Sequence, residues 1–197
     1  VIAVERTGLT VAPHLNAPDG HVPVSGRWFR GDEETRPTIG DWVVIDSQTG
    51  MLLDMLPRRS VIKRVNPLGA LQLIAANVDA ALIVTSCNAD FNLERLERYL
   101  SVVLEANITP VLVLTKIDLA EDPSVFIEAL SQRFPEIAQV AVDALSEGAV
   151  AALTPWCTQG QTIVLLGSSG VGKSTLVNAL SGACLLYTSD AADELTS

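Results

Sequence analysis

Hydrophobic and polar positions change rhythm partway along this chain. Residues 1 to about 66 carry short β-prone runs: "GLTVAPHL", "HVPVSGRWF", "DWVVID" and "SVIKRV". Turn-rich stretches such as "APDGH", "RGDEETRP", "SQTG" and "VNPLG" separate them. Short strands at this spacing predict a small antiparallel barrel, with Trp28 and Trp42 in its core. From residue 73 the pattern is different. "VDAALIVTS" is a continuous apolar run, as in a strand buried on both faces. In "NLERLERYLSVVLEAN", Leu93, Leu96, Leu100, Val103 and Leu104 recur at helical spacing, and Asn92 can cap the start.

The alternation continues to the end of the pattern. Strand "TPVLVLTKID" is followed by helix "DPSVFIEALSQRF", with Pro123 near its first turn. Strand "IAQVAVDA", a short helix around "EGAVAALTPWC" and strand "QTIVLLG" come next. Strands alternating with helices imply βαβ units and a parallel sheet. The predicted class is α/β, with an N-terminal antiparallel β-barrel over residues 1–66 and a parallel-sheet domain over 67–183.

Composition narrows the classes of function. The chain has 197 residues, 48% of them hydrophobic, which suffices for one or two cored domains. No 18-residue apolar run or signal-peptide pattern is present, so a cytoplasmic protein off the membrane is expected. Cys87, Cys157 and Cys184 are widely spaced, and no Cys/His metal spacing occurs. The net charge of −10 opposes bulk attraction to nucleic acid. Against that average, "LPRRSVIKRV" gathers Arg58, Arg59, Lys63 and Arg64, a candidate RNA contact. The competing reading is a solvated face.

The candidate chemistry lies near the end. "GSSGVGKST" fits G-x-x-x-x-G-K-[ST], with Gly167, Gly172, Lys173 and Ser174 at the fixed positions and Ser168, Ser169, Gly170, Val171 and Thr175 completing the loop. Glycines let backbone N–H groups turn toward phosphate oxygens. Lys173 supplies a point charge for the β/γ-phosphates, and Ser174 a hydroxyl for Mg²⁺. The helix that follows directs its positive dipole end at the same place.

The base is addressed upstream. Thr115, Lys116 and Asp118 in "VLVLTKIDL" resemble the [NT]KxD guanine motif of GTPases. Asp118 would accept from the guanine N1–H and amino group, while Lys116 would lie along the purine face. Ala144, after strand "IAQVAVDA", matches one position of a further guanine loop. Lys116 precedes Lys173 by 57 residues, the reverse of the common order. A parallel sheet built in rotated order accounts for this.

Together, "TIGDWVVID", "LPRRSVIKRV", "IAANVDAALIV", "LERLERYL", "VLVLTKIDL" and "VLLGSSGVGKSTLVNAL" resemble the RsgA (YjeQ) family of small-subunit-dependent GTPases. The resemblance implies an OB-fold followed by a circularly permuted GTPase domain. It implies GTP and GDP with Mg²⁺ as ligands, the small ribosomal subunit and its rRNA as partners, a monomer, and GTP hydrolysis late in subunit maturation. The family continues past the loop helix with two switches and a zinc-binding domain, so Zn²⁺ is expected only there. The stretch "CLLYTSDAADELTS" departs from the family. It is similar to a translated sequencing adapter, so residues 184–197 are expected to be non-native, and a chain ending there is expected not to turn over GTP. Alternatives are a nucleotide-gated RNA-binding module without hydrolysis, and a P-loop ATPase or kinase with an unrelated front domain.

Overall fold

The computed structural model describes residues 1–5, 7–12, 18–30, 32–65 and 69–181. The tail 184–197, expected to be non-native, lies outside the described residues. The chain divides into two compact units, Val1–Val78 and one beginning at Asp79.

In the first unit β1 (Ala3–Val4), β2 (Gly8–Val11) and β3 (Gly20–Pro23) form an antiparallel sheet with β2 central. The strand expected over "HVPVSGRWF" ends at Pro23, and α1 (Arg27–Arg30) turns the chain instead. Strand β4 (Val43–Ile45) pairs with β5 (Leu52–Met55), and β6 (Val61–Val65) pairs with β7 (Leu71–Ala76), both antiparallel. Leu9, Val11, Val22 and Leu52 form the core, with Trp28 and Val43 packed against it. These are three small sheets, and no closed barrel is present among the described residues. Trp42 is not core, because it is 65% exposed. Its neighbour Asp41 turns inward and is buried, and adjacent side chains of an extended segment face opposite ways.

The second unit follows the predicted alternation. It comprises β8 (Ala80–Ser86), α2 (Leu93–Glu105), β9 (Thr109–Thr115), α3 (Ser124–Arg133), β10 (Ala138–Ala141), α4 (Glu147–Leu153), β11 (Ile163–Leu166) and α5 (Lys173–Ser181). The sheet order is β10-β9-β8-β11, and every pairing is parallel. All seven residues of β8 are buried, as the unbroken apolar run requires. Asn92 caps α2, its side-chain oxygen accepting from Arg95 N at 2.9 Å. Leu96, Tyr99, Leu100 and Val103 form the buried stripe of α2. Leu104, expected in that stripe, is 52% exposed. One residue past Val103 it has rotated about 100° toward solvent. Leu82, Val84, Val111 and Val113 of the sheet pack with Leu153 of α4 and with Leu176 and Leu180 of α5. No helix among the described residues is long and apolar enough to cross a membrane.

Candidate functional site

Four parallel strands bring four loops to one edge, the carboxyl end of the sheet, where open α/β sheets bind ligands. The loop after β11 carries the glycine-rich motif. Its first glycine, Gly167, has φ +148°, and a Cβ there would meet Val84 O at 2.3 Å. Only glycine lets this loop leave β11 so close to the backbone of β8. Ser169 and Gly170 are exposed at the tip, and Val171 is buried beneath it. The Lys173 ammonium reaches back over the loop and donates to Gly167 O and Ser168 O, both at 2.7 Å. Ser174 is exposed and Thr175 half-buried in the first turn of α5. Exposed N–H groups, a helix start and a lysine over one mouth suit a phosphate anion.

Thr115 ends β9 and is fully buried. Its hydroxyl lies 2.6 Å from Val171 O and 3.0 Å from Thr85 O. One hydroxyl proton serves one acceptor at a time, and the shorter contact goes to the glycine-rich loop. Thr115 thus ties the upstream motif to the downstream loop. Lys116 follows with φ +58°, left-handed backbone that is uncommon outside glycine. That conformation directs the chain into a 3₁₀ turn, Ile117–Leu119, which leaves Asp118 exposed at the sheet edge. Cys87 lies nearby, and its backbone N–H donates to Thr115 O at 3.0 Å. Burial, and then the Asp118 charge, push its thiol pKa up from the ordinary value. After β10, Val142 N–H still donates to Leu114 O, and the Asp143 carboxylate accepts from Leu145 N. This small turn buries Ala144 and exposes Leu145.

One residue of this edge had no place in the motif pattern. Arg95 of α2 donates from Nη1 to Ser168 Oγ at 2.5 Å. The only signal in the sequence was its position three residues after the capping Asn92, in the first turn of the helix that follows β8.

A family model described as RsgA GTPase matches residues 55–197. The chain belongs to the RsgA GTPase family. It is 49% identical over 145 residues to the small ribosomal subunit biogenesis GTPase RsgA of Mesorhizobium japonicum, covering 73% of this chain and 42% of that protein. It is 42% identical over 189 residues to the protein of the same name from Xylella fastidiosa strain M12, covering 92% and 55% respectively. The chain spans about half the length of the curated relatives it matches. Among solved structures it is similar to YloQ, a circularly permuted GTPase, with TM-score 0.60 and 27% identity over 90% of this chain and 64% of that one. The fold also matches YjeQ from Thermotoga maritima, with TM-score 0.66 and 20% identity over 89% and 64%. Among the described residues the strand bearing the glycine-rich loop, β11, follows β8, β9 and β10 in sequence yet pairs with β8.

The basic cluster of the first unit does not act as one group. The Arg58 side chain is largely buried in a bidentate pair with Asp41, at 2.7 Å from Nε to Oδ1 and 2.7 Å from Nη2 to Oδ2. It also donates to Glu34 O and Arg36 O, both at 2.5 Å. Those contacts commit the Arg58 guanidinium to Asp41 and to the backbone of Glu34 and Arg36. Arg59 is exposed, while its backbone N–H donates to Asn77 Oδ1 at 2.9 Å. Lys63 pairs with Glu34 at 2.7 Å, and Arg64 donates to Gln72 Oε1. Among the described residues, no three His, Cys, Asp or Glu side chains gather to hold a metal.

Proposed function

We propose that this protein binds guanine nucleotide at the carboxyl edge of its parallel sheet, hydrolyses GTP, and serves the maturation of the small ribosomal subunit. The observation that carries the nucleotide reading is the Thr115–Val171 bond, which joins the two motifs that sequence separates. Gly167, Ser168, Ser169, Gly170, Val171, Gly172, Lys173, Ser174 and Thr175 form the phosphate loop. Asp118 addresses the base, Lys116 supports its face, and Ala144 lies behind it. The exposed Ser174 hydroxyl at the start of α5 suits a Mg²⁺ ligand. A bound Mg²⁺ would neutralise phosphate charge, and substrate phosphates plus water would complete its shell.

The role on the ribosome rests on the names of the relatives, which are small ribosomal subunit biogenesis GTPases. For the first unit we propose an OB-type RNA-binding module with Arg59 and one of the β6 cations, Lys63 or Arg64, toward rRNA. The small antiparallel sheets support that reading, and a cytoplasmic monomer fits it.

Calorimetry with GTP, GDP and ATP in Mg²⁺ tests the nucleotide reading. GTP and GDP should bind, and ATP should compete poorly. Lys173→Ala should remove a charge-assisted contact of about 1.5–3 kcal/mol. Undiminished GTP binding by that variant would show that the phosphates sit elsewhere.

A further inference from the structure

Arg95 and Lys173 converge on one residue of the glycine-rich loop. Arg95 donates to the Ser168 hydroxyl, and Lys173 donates to the Ser168 carbonyl. The chain is acidic, with 23 Asp and Glu against 13 Lys and Arg. Arg36, Arg58 and Arg133 pair with the carboxylates of Glu33, Asp41 and Glu97. Among the described residues no carboxylate pairs with Arg95, although Glu94 is its neighbour on α2. Two cations that converge on one residue of the loop suit an anionic ligand there.

The loop has a direction. Its Val171 end is tied to Thr115, at the strand that leads to Asp118 and the base side. Its Ser168 end lies against Arg95 of α2. A nucleotide with its base at Asp118 would run its phosphates along the loop toward Ser168. The last phosphate then lies nearest Arg95. A guanidinium offers five donors, and the Ser168 contact occupies one of them.

Resting on the nucleotide reading above, we propose that Arg95 is a second phosphate-binding cation of the site. It rests on Ser168 and transfers its hydrogen bonds to the terminal phosphate of a nucleoside triphosphate. It thereby sets the preference for triphosphate over diphosphate. No covalent step is involved.

The test is calorimetry on the full chain with Mg²⁺, using GDP and the non-hydrolysable GTP analogue GMPPNP. The variants are Arg95→Ala and Arg95→Lys, each checked for a parent-like thermal transition. Arg95→Ala should weaken GMPPNP binding about tenfold or more, the scale of one charge-assisted hydrogen bond, while GDP affinity changes little. Arg95→Lys should retain part of the preference, because the charge remains. Equal losses for both nucleotides in Arg95→Ala would make Arg95 a loop staple and overturn the proposal alone. A parent chain that binds neither nucleotide would overturn the nucleotide reading, and this proposal with it.

Discussion

At the scale of single residues, Thr115 and Asp118 show how one short motif divides its labour. Both belong to "TKID", yet Thr115 is buried against Val171 while Asp118 is exposed at the sheet edge. The left-handed Lys116 between them leads the chain from β9 into the 3₁₀ turn Ile117–Leu119. The first side chain therefore holds the loop, and the aspartate stays exposed at the edge where we propose the base binds. Asp118→Asn tests this division. A carboxylate only accepts, whereas an amide also donates, so the variant should shift preference from guanine toward xanthine. Competition between GDP and xanthosine diphosphate measures it, and an unchanged ratio would remove Asp118 from the site.

At the scale of elements, the first unit is held by a polar hub as much as by its small core. Gly40 has φ +87°, and a Cβ there would meet Ala76 O at 2.1 Å. This close approach brings "IGDW" against the end of β7. Asn77 then bridges, donating to Gly40 O and accepting from Arg59 N. Asp41 accepts from Thr38 N as well as from Arg58. Removing the guanidinium would leave the Asp41 carboxylate, with 0% side-chain exposure, without its partner. Arg58→Ala should therefore destabilise the first unit by roughly 3–5 kcal/mol, read as a lower urea midpoint. A midpoint unchanged from the parent would mean that the hub contributes nothing. The same hub explains why two stretches that point to the family, "TIGDW" and "LPRRS", lie far apart in sequence but meet in the fold.

For the whole molecule, the question is how an acidic protein would meet RNA. With Arg58 turned inward, the proposed RNA contact rests on Arg59 and on one of the two cations of β6. Lys63 and Arg64 occupy successive strand positions and face opposite sides. Arg59→Glu with Lys63→Glu should weaken binding to the small ribosomal subunit. It should also flatten the salt dependence by about one ion for each phosphate the protein no longer neutralises. Binding measured from low to moderate salt gives both quantities. An identical slope in the double variant would leave these residues as ordinary surface.

The sequence alone determined the elements of the second unit and the motifs they carry. Strand β8 is apolar throughout, the loop after β11 has its glycines and lysine at fixed spacing, and both are local properties of the chain. Periodicity cannot say which strands pair or where a side chain ends once they do. Tertiary structure decided that β11 lies beside β8, that Thr115 faces the loop and that Arg95 joins the site from another helix. It likewise decided that Arg58 pairs with Asp41 and that Trp42 is exposed. The physical reason is the same each time. A hydrogen bond between residues 56 or 73 positions apart is set by packing across the sheet, and nothing in the local sequence around either partner encodes its other end.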